Sequence, residues 1–218
     1  MPGVCVVVMA KYPQAGAVKT RLAASLGEQV AADVARAFVL DLHARLAAAD
    51  IRAAWAYWPR ESPFDALLPG SEVFPQEGAD LGERMAAAVS RAFAGGAPAA
   101  ILLGADAPHV DLMAVAAAGK ALESGVEVVI GPSEDGGYYL LGLRRPRPEL
   151  FGAIAWGGPG VYAATLARCV ALDLEPLLLP VTFDVDEPAD LRRLARLVAR
   201  GDVVLPATEA ALVRAGIS

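Results

Sequence analysis

The feature that most constrains this chain is an alternation between two kinds of segment. Short, nearly all-apolar, β-branched runs occur at 4–9, 51–58, 99–104, 126–131, 138–143 and 177–185. Longer stretches, in which small or charged residues interleave apolar ones at helical spacing, fall at 28–49, 81–93, 111–124, 161–172 and 189–200. A strand with no polar face must be covered on both sides, and parallel or mixed sheets under helices provide that cover. The rhythm therefore predicts an α/β sandwich, with a mostly parallel mixed sheet, helices on both faces and 4–9 as a central strand. No long linker or internal repeat interrupts it. At 218 residues, against about 150 per domain, a single domain spanning 1–218 is expected.

Composition narrows the function classes. Hydrophobic residues make up 56% and charged residues 20% of the chain, enough for a large core and too apolar for a mainly disordered protein. A net charge of −6 disfavours a broad basic face for nucleic acid, so any bound polyanion is expected to be small. No uninterrupted apolar stretch approaches the roughly 18 residues of a membrane span. The first apolar run follows no cationic segment, which points away from a secretory signal and toward the cytoplasm. Cys5 and Cys169 lack metal-ligand spacing and suit small buried side chains in a reducing compartment.

The loop after the first apolar run carries Lys11, Lys19 and Arg21, around a turn shaped by Pro13 and Gly16. It lies at the carboxyl end of an expected buried strand, where open α/β sheets bind ligands. A helix starting near Val18 would add free N–H groups, and with Gly16 and Thr20 the loop suits a diphosphate. The plainer alternative is a solvated basic loop. Gly16 and Lys19 are too far apart in the wrong pattern for a kinase-type phosphate loop.

Acidic residues mark three further strand ends. Asp106 follows the apolar run 99–104 and either holds a hard divalent cation together with substrate phosphates or caps the helix starting near Asp111. Asp184 and Asp186 share one side of an extended chain, roughly 6.6 Å apart at about 3.3 Å per residue. Either could complete a metal site, although Asp186 is also placed to cap the helix that Pro188 opens. Asp135, with Gly136 and Gly137, reads as a tight hairpin, or as a general base beside glycines that let an acceptor approach the backbone. The stretch 76–84, with Asp80 and Arg84, is either a charged helix start or a contact to a nucleotide base or ribose. The loop 156–160 is the expected mobile segment. Gly158-x-Gly160 mimics a dinucleotide fingerprint by letter but lacks a leading strand. Neither His43 nor His109 anchors a catalytic triad.

Taken together, Lys11-x-Pro13-x-x-Gly16-x-Val18-Lys19-Thr20-Arg21-Leu22, Gly104-x-Asp106-x-Pro108, Gly131-Pro132-x-x-Asp135-Gly136-Gly137-Tyr138-Tyr139-Leu140 and Asp184-Val185-Asp186-x-x-x-Asp190-Leu191 resemble a bacterial group of nucleotide-diphospho-sugar transferase-like proteins. One branch comprises arsenosugar-biosynthesis glycosyltransferases, and the group is similar to the phospholactate guanylyltransferases. The resemblance implies a GT-A, Rossmann-like nucleotide-diphospho-sugar transferase fold and a glycosyltransferase using a nucleotide-diphosphate sugar. It puts Lys11, Lys19 and Arg21 on nucleotide phosphates, and Mg²⁺ or Mn²⁺ on Asp106 with Asp184 or Asp186. Asp135 and Lys19 are then the expected catalytic groups, with Gly136, Gly137, Tyr138 and Trp156 toward a small-molecule acceptor. Gly104 stands where glycosyltransferases of this fold carry the first aspartate of Asp-x-Asp, and in that respect the chain looks more like a nucleotidyltransferase that joins a nucleoside triphosphate to a phosphorylated small molecule. A non-catalytic nucleotide-binding protein is the third alternative, and a homodimer is left open.

Overall fold

The computed structural model describes residues 3–217. Its seven-stranded sheet has the order β3-β2-β1-β4-β6-β5-β7. The strands are β1 (Cys5–Lys11), β2 (Ala53–Trp58), β3 (Glu72–Pro75), β4 (Ala100–Gly104), β5 (Val128–Pro132), β6 (Tyr138–Leu143) and β7 (Leu177–Leu178). Only β6 runs antiparallel to its neighbours, β4 and β5. This is the mostly parallel mixed sheet that the apolar runs predict.

The central strand shows why. Val6 and Val8 project into one buried cluster with α2 (Glu28–Ala48) and α5 (Leu112–Glu123). Cys5 and Val7 project into another with α4 (Leu81–Ala94) and α6 (Val161–Ala171). With both faces covered, a strand has no use for polar alternation, and burying each Val contributes about 1.5–3 kcal/mol. A third cluster lies beyond the sheet, where α1 (Thr20–Leu26) and α2 meet α7 (Pro188–Arg200) and α8 (Pro206–Arg214) around Leu22, Phe38, Leu194 and Leu212.

Several expectations need correction. The helix expected near Val18 begins at Thr20 and is seven residues long, because Lys19 adopts a left-handed conformation, φ 47° and ψ 48°. The expected strand at 177–185 is hydrogen-bonded as a ladder only at Leu177–Leu178. Pro180 has no N–H to donate, and pairing resumes beyond it where Thr182 donates to the Pro132 carbonyl at 3.2 Å. Among the described residues four elements went unforeseen: the edge strand β3, the single turn α3 (Phe64–Leu67), a 3₁₀ turn at Pro148–Leu150 and α8. The last has no cap of its own. Its Ala207 and Thr208 N–H groups donate to the buried Asp41 carboxylate of α2 at 2.9 and 2.7 Å, a partner more than 160 positions away that no local pattern reveals.

For function, the consequence is directional. β1, β4 and β5 are parallel, so the β1 loop, Asp106 and the β5–β6 hairpin all emerge at the same carboxyl edge. The chain after β7 returns there too: Val185 N–H donates to the Asp106 carbonyl at 3.0 Å.

Candidate active site

These segments enclose a cleft of about 490 Å³ at the carboxyl edge of the sheet. Its lining contains Lys11, Lys19, Thr20 and Arg21 from the first loop, Arg84 from α4, and Asp106, Asp135, Asp184 and Asp186 from the acidic segments. Cations and carboxylates that are as much as 175 positions apart thus face one another across one cavity.

Lys19 is the hinge of the arrangement. As the residue before α1 it is left-handed, and its side chain is 5% exposed. Its Nζ pairs with Asp106 and, at 3.0 Å, with Asp186 Oδ1. The Phe38 ring lies 5.6 Å from the ammonium. Burial by itself would lower the Lys19 pKa, but the two carboxylates outweigh it and hold the ammonium above the usual lysine range. Lys19 therefore stands charged among the carboxylates.

The two capping alternatives fall away. Asp111, not Asp106, caps α5 by accepting from Met113 N–H at 2.8 Å. At α7 the capping box is formed by Glu187 and Asp190, with Asp190 Oδ2 accepting from Glu187 N–H at 2.8 Å. Asp106 and Asp186 are left to the cleft. Asp184 accepts from the buried Ser133 Oγ at 3.0 Å. Its carboxyl is pushed up to about 7, first by burial and then by the charges of Asp106, Asp135 and Asp186.

Crowding of this kind is what a divalent cation relieves, and the donors are the hard oxygens that Mg²⁺ and Mn²⁺ take. Yet among the described residues no group of three His, Cys, Asp or Glu side chains is gathered to hold a metal by itself. The carboxylates fit a cation shared with substrate phosphates, the usual arrangement for Mg²⁺.

Asp135 sits in the β5–β6 hairpin, and its Oδ1 accepts from Gly137 N–H at 2.9 Å. It is both the turn residue and part of the cleft lining. Gly137, Tyr138 and Trp156 also line the cleft. Gly136 does not: at φ 87°, an added Cβ would lie 2.0 Å from the Pro159 carbonyl oxygen. Its bareness seats the 156–160 loop on the hairpin.

Two residues expected at phosphate or nucleotide also lie outside this lining. Gly16 is outside the lining and shapes the turn at φ 77°, packed against Glu28. Asp80 is also outside it, and accepts from Glu83 N–H at 2.9 Å as the cap of α4. Arg84 does reach the cleft, its guanidinium 3.7 Å above the Trp58 ring. His109 stays out of the lining, and burial first, then Arg45 and Arg193, hold its pKa down to about 4.

Sequence reading missed Trp58 and Ser133 as site residues and passed over Gln76 within its stretch. Buried Gln76 donates its Nε2 to the carbonyls of Ala56 at 2.9 Å and Ala10 at 3.3 Å, which turns Oε1 away from the strands. No local signal marked Gln76, since both its burial and the strand β3 that it follows appear only in the fold.

Residues 30–158 match a family described as "Uncharacterized protein conserved in bacteria (DUF2064)". No curated protein matches the chain. A crystal structure from Desulfovibrio desulfuricans G20, described as a "putative nucleotide-diphospho-sugar transferase", is 35% identical, with a TM-score of 0.91 over 98% of this chain and 95% of that one. More distant similarity, at 13% identity, extends to CMP:2-keto-3-deoxy-manno-octonic acid synthetase complexed with CTP, TM-score 0.60 over 91% of this chain and 99% of that one. It extends also to 4-diphosphocytidyl-2C-methyl-D-erythritol synthase, 13% identical, TM-score 0.57 over 90% and 98%. These two carry the fold alone. With more than half of its length matched and a full-length relative at 35% identity, the chain belongs to the DUF2064 family, as a transferase with the nucleotide-diphospho-sugar transferase fold.

Proposed function

We propose that the protein transfers a sugar from a nucleotide-diphosphate donor to a small-molecule acceptor. One observation carries the reading: a single cleft at the carboxyl edge opposes the cations of the β1 loop to the carboxylates that end β4 and the extended segment after β7. Lys11, Thr20 and Arg21 would bind the diphosphate, each charge-assisted hydrogen bond contributing about 1.5–3 kcal/mol. Lys19 meets the same phosphates when it leaves the carboxylates, adding positive charge where the leaving diphosphate becomes more negative. Asp106, with Asp184 or Asp186, would hold Mg²⁺ or Mn²⁺, which supplies further neutralisation of that leaving group. Asp135 takes the acceptor's proton: its Oδ1 is engaged by Gly137, and Oδ2 is the atom left for the task. Gln76 offers Oε1 and Trp58 a ring face on the side of β2, both suited to a nucleobase.

A second reading is favoured by Gly104, which lines the cleft where a second strand-end carboxylate would stand in an Asp-x-Asp pair. The same cations would then hold a nucleoside triphosphate, and the product would be a nucleotide joined to a phosphorylated small molecule. One experiment separates the two. Incubation with a panel of nucleotide sugars and nucleoside triphosphates plus Mn²⁺ should show donor hydrolysis or sugar transfer. Pyrophosphate release without sugar transfer replaces the first reading with the second, and nucleotide binding without turnover leaves a binding protein.

A further inference from the structure

We infer that Lys19 makes the cation site conditional on phosphate, so that the cleft refuses a bare divalent cation and accepts one only together with a phosphate-bearing ligand. The inference rests on the reading above and adds to it the form in which the cation enters. Asp106 and Asp186, two of the carboxylates available to a metal, are bridged by the same ammonium, Asp186 at 3.0 Å. That ammonium is not a stray surface charge. Its side chain is 5% exposed, while the two aspartates are 57% and 41% exposed, so the lysine is lodged beneath carboxylates that still face the cleft.

A dication placed on Asp106 and Asp186 would stand within a few ångströms of Nζ, and like charges at that range repel strongly. Lys19 must therefore give up its carboxylates before a cation can take them. Buried and charged, it cannot simply move into the apolar side of the cleft beside Val18 and Val39, because an unpaired buried ammonium is costly. What releases it is a replacement anion. Lys11, Thr20 and Arg21 line the same cleft, Thr20 and Arg21 directly after Lys19 in the chain, and on the reading above they bind the phosphates. A phosphate held there offers Nζ a new partner and frees Asp106 and Asp186 in the same event. Cation and phosphate ligand then bind with positive coupling, and by linkage each raises the affinity for the other by one common factor.

The test is Mn²⁺ binding without any nucleotide, followed through the EPR signal of free Mn²⁺. Lys19→Met keeps the aliphatic stem near Phe38 and removes only the ammonium; Lys19→Gln keeps a polar end. Both should bind bare Mn²⁺ on the order of tenfold more tightly than the wild type, a typical coupling magnitude. Adding Asp106→Asn to Lys19→Met should abolish the gain, which ties it to this site. Thermal unfolding of each variant confirms that folded protein is being titrated. The inference is overturned if both folded Lys19 variants bind bare Mn²⁺ no more tightly than the wild type while wild-type nucleotide affinity still rises with Mn²⁺. A different result sinks the parent reading: if nucleotide affinity ignores Mn²⁺ in the wild type and in both variants, no cation works in this cleft and the coupling goes with it.

Discussion

Two acidic helix entrances in this molecule look alike and do different work. At 78–84, Asp80 accepts from Glu83 N–H at 2.9 Å, and Glu83 Oε2 accepts from Ala79 N–H at 2.8 Å. Both carboxylates are spent on opening α4. At 184–190, Glu187 and Asp190 form the equivalent box for α7, and Asp184 and Asp186, just upstream, are released toward the cleft. The lesson concerns surplus. A carboxylate at a helix start becomes available for chemistry only when others have already satisfied the orphan N–H groups of the first turn. The second entrance has two more acids than its caps need.

Mutation should separate these roles, and the largest effect is expected in the cleft that the surplus acids face, at Asp106 across from Asp186. Asp106→Ala, which removes one of the two carboxylates that Lys19 bridges, should lower turnover on the order of 100-fold or more, as loss of a group that organises transition-state charge does. Its thermal transition should stay near the wild type; collapse of the fold instead would make Asp106 structural. Next comes the phosphate side. Lys11→Ala should weaken nucleotide binding in calorimetry by roughly 1.5–3 kcal/mol, with or without Mn²⁺, and unchanged affinity would remove Lys11 from the site.

The capping residues should behave in the opposite way. Glu187→Ala and Asp80→Ala should each cost about 1 kcal/mol of stability, a melting shift of roughly 2–4 °C for a chain of this size, with nucleotide affinity intact for Asp80→Ala; Glu187 also pairs with Arg21 at 3.4 Å, so its loss reaches the phosphate side as well. If Asp80→Ala weakens nucleotide binding as much as Lys11→Ala does, the contrast between the two entrances fails.

The last contrast is a pH dependence at Asp184. Its folded pKa is raised from 3.8 to about 7, so between those values the folded state holds a proton that the unfolded state has lost. Stability associated with the neutral carboxyl is complete below about pH 4 and declines as pH rises toward 7. Asp184→Asn, which stays neutral throughout, should show a shallower decline in urea unfolding measured with EDTA. Parallel wild-type and variant curves from pH 4 to 8 would show that Asp184 does not bear this burden.

Much of this was legible in the sequence, for identifiable reasons. The run at 138–143 and the start of the helix at 28 coincide with the structure because period and burial are local properties: a doubly covered strand must be apolar throughout, and a helix facing a sheet must be apolar along one side. Strand ends followed by Lys11, Asp106 and Asp135 were readable too, since parallel strands bring their carboxyl ends to one edge. What tertiary structure alone decided was allocation. Nothing near Asp106 in the chain shows that its partner is Lys19, or that Asp41 caps α8 and so leaves no cap residue to read there. Gly136 was readable as a turn, but only the docked 156–160 loop shows what the missing side chain makes room for. A sequence displays which groups can bond, whereas which of several equal candidates does so depends on segments that meet only after the chain has folded, when each N–H and each charge takes the partner that burial leaves it.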